Sequence, residues 1–366
     1  MTTARSDRRR GLASRRSNHG SLTRRWLGGR AAGVAAGLVL AACGEESGVG
    51  GVVPAQVSGP LTVYSGRKET LVGPLLERYQ ELTGVDVKTR YGGTAELAAA
   101  ILEEGENSPA NVFFAQDVGA LGALAAAGRL SRLPSSLLES IEPRFRSPGG
   151  VWVGLSGRAR VVVYNTEELQ ESDLPDTIWG FTGPKWKGQL GWPPTNGSFQ
   201  AFVTALRITD GEERAREWLE KIKANEPRRY RNNTTIVDAT AKGEVLAGFV
   251  NHYYLFRFLK EHGESFTARN YHPRAGGPGA IINLAGAGVL ASSQNPRAAT
   301  HFVDYMLSQD AQQYFASETF EYPLIEGIET HSLLVPLDQI ETPEIDLSNL
   351  ADLRGTLELL RTLDIL

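Results

Sequence analysis

Apolar residues recur at positions 71, 72, 75, 76, 79 and 82, the spacing of one helix face, and predict a helix from Lys68 to Leu82. Pro74 falls in its first turns, where a missing N–H is tolerated best. Gly84 ends it. Before it, Leu61-Thr62-Val63-Tyr64-Ser65-Gly66 reads as a strand stopped by glycine. After it, Val85 to Tyr91 alternates as a second strand. A helix follows from Thr94 to Glu104, with Thr94 as its N-cap. Asn111 to Ala115 is continuously apolar in its centre, as in a buried parallel strand, and a helix spans about Ala120 to Ala127. Strand and helix in strict alternation predict an α/β layer on a parallel sheet. Ligands of such sheets sit beyond the carboxyl ends of the strands.

The pattern then changes. Residues 153–165, "VGLSGRARVVVYN", form a β-rich run long enough to cross into a second lobe, and Ser156 to Arg160 is read as strand and hinge rather than as a phosphate site. Beyond it the alternation resumes. "GQLGW" is a strand, Phe199–Ile208 and Glu212–Ala224 are helices, and "NNTTIVDATAKGE" is a capped helix. "VLAGFV" is a buried strand that runs straight into Asn251-His252-Tyr253-Tyr254 and a helix to His262. "AIINLAGAGVLA" is a further crossing strand, residues 297–318 hold one or two helices, and Leu350–Leu363 returns to helix. Two α/β lobes joined by long crossing strands make a hinge that closes on a ligand. The expected lobes are 59–150 with about 285–330, and about 151–284 with 331–366.

Charge separates the first residues from the rest. Residues 1–30 are arginine-rich, and a short apolar stretch, Ala31 to Ala42, follows. That stretch is too short to cross a bilayer, which takes about 20 residues, and its flanks are those of a signal peptide. Leu40-Ala41-Ala42-Cys43 resembles a bacterial lipobox, which implies cleavage before Cys43, the sole cysteine, and a lipid on its sulfur. Residues 1–43 are then the signal, and 44–58 a glycine-rich flexible linker. Thr23 to Leu27 also resembles a twin-arginine export signal. The net charge of −4 argues against a nucleic-acid partner.

Four strand-end loops carry the candidate chemistry: Ser65 to Lys68 with Arg67, Ala115-Gln116-Asp117, Pro194 to Ser198, and Asn251 to Tyr254. A fifth, around Asn233, opens a helix. Asn196-Gly197-Ser198 also precedes a helix, whose free N–H groups would cradle an anion. Two adjacent phenols, Tyr253 and Tyr254, are open to two readings, core packing or ligation. A hard cation such as Fe³⁺ prefers anionic oxygen ligands, and a bound cation strips the phenolic proton. Two phenolates would leave one positive charge for a small anion. GxGxxG, GxxxxGK[ST], HExxH and GxSxG patterns are absent, which removes the common nucleotide, zinc and serine-hydrolase signatures.

"LTVYSGRKE", "NVFFAQD", "GLSGRARVVVYN", "PKWKGQLGWPPTNGSF" and "VNHYYLF" occur in the order found in ferric-ion-binding proteins, the substrate-binding components of ABC iron importers. The chain resembles that family over about residues 60–325. The resemblance implies a two-lobed periplasmic-binding-protein fold of type II with hinge-crossing strands. It implies Tyr253 and Tyr254 as Fe³⁺ ligands, with Asn196, Gly197, Ser198, Asn233 and Asn251 around a synergistic anion, phosphate or carbonate. Where one branch has a histidine ligand this chain has Arg67-Lys68, and where it has a glutamate ligand this chain has Gln116 beside Asp117. Gly197-Ser198 replace the third tyrosine of other branches. Arg67, Gln116 and Asp117 are therefore expected at the anion or around the metal. The resemblance further implies an exported monomer, lipid-anchored through Cys43 on the outer face of the cytoplasmic membrane, that serves an ABC permease and is not an enzyme. The competing expectations are another small ligand, such as a phosphonate or polyamine, or a lipid-anchored hydrolase.

Overall fold

The computed structural model describes residues 57–366. The signal segment, Cys43 and nearly all of the linker lie outside them. The chain runs β1 (Leu61–Ser65), α1 (Glu69–Thr83), β2 (Val87–Tyr91), α2 (Thr94–Glu104), β3 (Val112–Ala115), α3 (Val118–Ala126), α4 (Ser135–Glu139) and β4 (Val153–Asn165). It continues with β5 (Leu190–Trp192), α5 (Gly197–Asp210), α6 (Glu212–Ala224), β6 (Arg228–Arg229), α7 (Asn233–Ala241), β7 (Ala247–Asn251), α8 (Tyr253–His262) and β8 (Ala268–Tyr271). β9 (Ile282–Val289), α9 (Pro296–Tyr305), α10 (Gln309–Tyr314) and α11 (Leu353–Thr362) complete it. Among the described residues, no helix is long and apolar enough to cross a membrane.

The strand order is β2-β1-β3-β9-β4-β7-β5-β6, with β8 also on β4. The architecture is α/β and two-lobed, and β4 explains how. Its first half pairs with β9 as far as Ala159, and its second half, from Arg160, pairs with β7 and β8. All 13 of its residues are buried. Its run of valines, branched at Cβ, packs on both faces of the pleat, as a strand covered on both sides requires. In the second lobe, Phe202, Trp218 and Phe249 form one aromatic cluster, with ring centroids 5.3 to 6.3 Å apart. Such pairs add to their area of burial. That cluster fixes α5 and α6 on the sheet, and with them the loop ahead of α5.

Pro74 lies at the sixth residue of α1, within its first two turns. Two local expectations are corrected. Thr94 does not cap α2: Gly93 holds the cap position, and the Thr94 hydroxyl instead accepts from the Gln116 N–H at 3.2 Å. The last helix starts at Leu353, and Leu347–Ala351 is a separate 3₁₀ turn. That turn lies against α3 so closely that a Cβ on Gly122 would stand 2.5 Å from the Ser348 carbonyl oxygen. α11, in contrast, is held on α5 by Thr204–Thr356 at 2.7 Å and Arg207–Asp352 at 2.9 Å. The tail therefore touches both halves.

Candidate functional site between the lobes

The loops after β1, β3 and β5 converge as the alternation predicts. A cavity of about 910 Å³ is lined by Arg67, Gln116, Asp117, Arg158, Ser198 and Asn283, with Gly197 at its edge. A smaller recess joins Arg158, Arg160, Ser198, Asn251 and Asn283.

Asn196 caps α5 by accepting from the Ser198 N–H at 3.0 Å, while the Ser198 hydroxyl donates to the same oxygen at 2.6 Å. Asn233 donates to Asn196 at 3.2 Å and to Ser198 at 3.3 Å, and its own oxygen accepts from the Asn251 N–H at 2.8 Å. One network thus joins Asn196, Ser198, Asn233 and Asn251 at the positive end of a helix. Asp117 is engaged otherwise. It caps α3 through the Gly119 N–H at 2.9 Å and accepts from Asn283.

Tyr253 and Tyr254 open α8. Their rings stack at 4.4 Å between centroids, and Arg257 lies 5.4 and 5.2 Å over them. They line neither the large cavity nor the smaller recess, but both lie within electrostatic reach of Arg160, and Tyr254 also of Arg158. Burial, reinforced by the neighbouring phenol, pushes the Tyr254 hydroxyl above its usual range, against the opposing pull of Arg257 and Arg158. It is a neutral phenol at neutral pH.

His252, which precedes the pair, is an anchor. Its Nδ1 accepts from the Ala159 N–H at 3.0 Å, and its Nε2 meets the Phe320 carbonyl at 2.8 Å, so Nε2 carries the proton. Burial pulls its pKa down to about 3, with His272 adding to the effect and the bond to Phe320 opposing it. The unfolded chain takes up this proton near pH 6.5, whereas the fold refuses it until about pH 3. The neutral ring's contribution is therefore complete above pH 6.5 and is lost progressively as pH falls toward 3. Melting temperature should fall from about pH 6.5 to about pH 5, above most carboxylate titration. His252→Gln should reduce that slope, with His272, pulled down to about 4 by burial, keeping the remainder, and identical slopes in the two proteins would exclude His252 as a source.

The sequence singled out Arg67 but not its partner. Arg67 is 2% exposed, and its Nη2 lies 2.6 Å from Glu321, whose other oxygen accepts from Ser156 at 2.5 Å. Burial raises the Glu321 pKa, but Arg67, Arg158 and Ser156 outweigh that and hold the carboxylate below its ordinary range. Arg158 and Arg160 were read from the sequence as strand and hinge rather than as a phosphate site. Arg158 donates only to backbone oxygens, those of Gln116 and Leu284, and its Nε has no partner. Arg160 meets Asn251 at 3.4 Å, and its Nε and Nη2 have none. Burial without a counter-charge pulls Arg160 down to about 9, the two phenols opposing. The available signal was two arginines two residues apart in a buried strand, hence on one face of it.

Among the described residues, no group of three or more His, Cys, Asp or Glu could hold a metal.

Comparisons with known proteins point to one family. A family model described as "Bacterial extracellular solute-binding protein" matches residues 75–335. The major ferric iron-binding protein of Neisseria meningitidis is 34% identical over 296 residues, 80% of this chain and 89% of that one. The structure resembles iron-bound HitA from Pseudomonas aeruginosa with a TM-score of 0.76 at 35% identity, over 83% of this chain and 99% of that one. It resembles the Trichodesmium protein IdiA (FutA), in complex with iron and citrate, with a TM-score of 0.74 at 28% identity, over 83% and 99% of the two chains.

Proposed function

The chain belongs to the bacterial extracellular solute-binding protein family, and from that premise we propose that it binds ferric iron between its lobes with an oxyanion and passes it to an ABC permease. The observation that carries this reading is the stacked Tyr253–Tyr254 pair within electrostatic reach of the buried Arg160, which forms no ion pair and leaves two guanidinium nitrogens without a partner. Phenols supply hard anionic oxygens once a cation displaces their protons. Unpaired buried guanidiniums call for an anion, because a buried charge is stable only when paired.

In this reading Tyr253 and Tyr254 are the protein ligands. A phosphate or carbonate completes the metal's shell and lies near the α5 N-terminus, with Asn196, Gly197, Ser198, Asn233, Asn251 and Arg67 around it. Gln116 and Asp117 form the opposite wall. Closure removes water, which strengthens every charge interaction inside, and the permease recognises the closed shape. No reaction on the ligand is required. The protein works as a monomer, exported and tethered through Cys43. Its lobes are 59–150 with about 285–330 and about 151–284, the tail contacting both.

Iron titration of the metal-free protein tests this. One Fe³⁺ per chain should bind and give a visible phenolate-to-iron charge-transfer band, more tightly with phosphate or carbonate than without. A cavity of about 910 Å³ with two arginines on its walls, and a third in the adjoining recess, also favours a second reading, an organic oxyanion as the ligand itself. A colourless protein that binds such an anion without iron would decide for that one.

A further inference from the structure

Four Arg, Lys, Asp or Glu side chains are buried among the described residues: Arg67, Arg158, Arg160 and Glu321. All four meet at this cleft and its hinge. Three are positive and one is negative, so the buried charge is +2. Glu321 does not line the cavity. It stands behind Arg67, 2.6 Å from it, and cancels one of the three charges that an incoming anion would meet. Its own segment is fixed by the hinge: Tyr322 exchanges two backbone hydrogen bonds of 2.8 Å with Gly157, and the Phe320 carbonyl meets His252.

We propose that Glu321 is a positioning and specificity residue that sets which anion the cleft accepts. It does so by fixing Arg67 in place and trimming the buried charge from +3 to +2. This rests on the iron-and-oxyanion reading above. The physical reason is a difference of charges. Desolvating a multiply charged oxyanion costs more than desolvating a singly charged one, and only surplus positive charge offsets it. One unit of protein charge about 10 Å away, at an effective dielectric near 20, changes the binding of each unit of anion charge by roughly tenfold. Arg67 with Glu321 therefore acts as a balance. Neutralising either partner alone should tilt preference in opposite directions.

The probes are inorganic phosphate and bicarbonate, each as the sole anion, with iron affinity read by chelator competition on the purified chain. The readout is the ratio of the two affinities. Glu321→Gln should raise the phosphate-to-bicarbonate ratio by roughly tenfold. Arg67→Gln should lower it by a similar factor, and Arg67→Gln with Glu321→Gln should return it to the wild-type value. A merely structural role would move both affinities together and leave the ratio alone. A ratio within twofold of wild type in both single variants overturns the proposal. Should Glu321→Gln fail to fold, an unchanged ratio in Arg67→Gln overturns it alone. A wild-type chain that binds no iron under either anion overturns the functional reading instead, so the two failures are distinct.

Discussion

Replacing Tyr253 or Tyr254 with phenylalanine should lower iron affinity by more than about 100-fold and weaken and shift the visible band of the iron-loaded protein, and replacing both should bleach it. Loss of a mere outer-shell partner of a metal ligand typically costs 10- to 100-fold, and each phenol here is argued to be a ligand itself. The change is small in volume, since only the hydroxyl is removed from stacked rings, so the fold should survive. The buried phenol of Tyr254 is held neutral in the absence of metal, and binding must expel its proton. Iron uptake should therefore release protons, two per metal if both phenols ligate, and weaken as pH falls. Proton release measured in weakly buffered solution, alongside the visible band, checks both statements. A Tyr254→Phe protein that keeps its colour and its proton count would remove Tyr254 from the ligand set.

Glu321→Ala should cost about 3–5 kcal/mol of stability, the usual effect of stranding one member of a buried ion pair. Arg67 would remain with 2% of its surface exposed and no counter-charge. Exchanging both residues for apolar ones of similar size, Arg67→Met with Glu321→Leu, should cost much less. The desolvation of two charges is then avoided rather than left uncompensated. Urea midpoints of the wild type, both singles and the double separate the coupling from the individual losses. An additive cycle would mean that the 2.6 Å contact contributes no coupling to the folded state.

What could be read from residues alone was decided by range. β4 was legible from Val153 to Asn165 because valines flank a buried strand on both faces, and α6 from Glu212 to Ala224 because its apolar period is clean. Boundaries slipped where side chains serve distant partners. Thr94 resembles a cap, yet its hydroxyl is spent on Gln116, 22 residues away. The short strand β8, Ala268–Tyr271, has no apolar alternation of its own and forms because β4 offers an edge. Within the site, the Asn196 cap was visible as a helix-opening turn, and the tyrosine pair as a pattern. The Arg67–Glu321 pair was not, since 254 residues separate its members. Arg158 and Arg160 were seen as strand. Reading them as site residues needs the face they share to be known to look into a recess, and only tertiary structure supplies that.

The sharing of β4 between two sheets has a mechanical consequence. A ladder pinned at both ends is built like a torsion rod: its two halves would turn relative to each other by spreading a slight change of twist over many hydrogen bonds, with none of them needing to break. Strands already twist, and their twist is compliant. Little of the energy of capturing a cargo is then stored as elastic strain in the joint. A docked transporter that grips each lobe would need only a modest torque to pry them apart again, so tight capture and prompt release need not conflict.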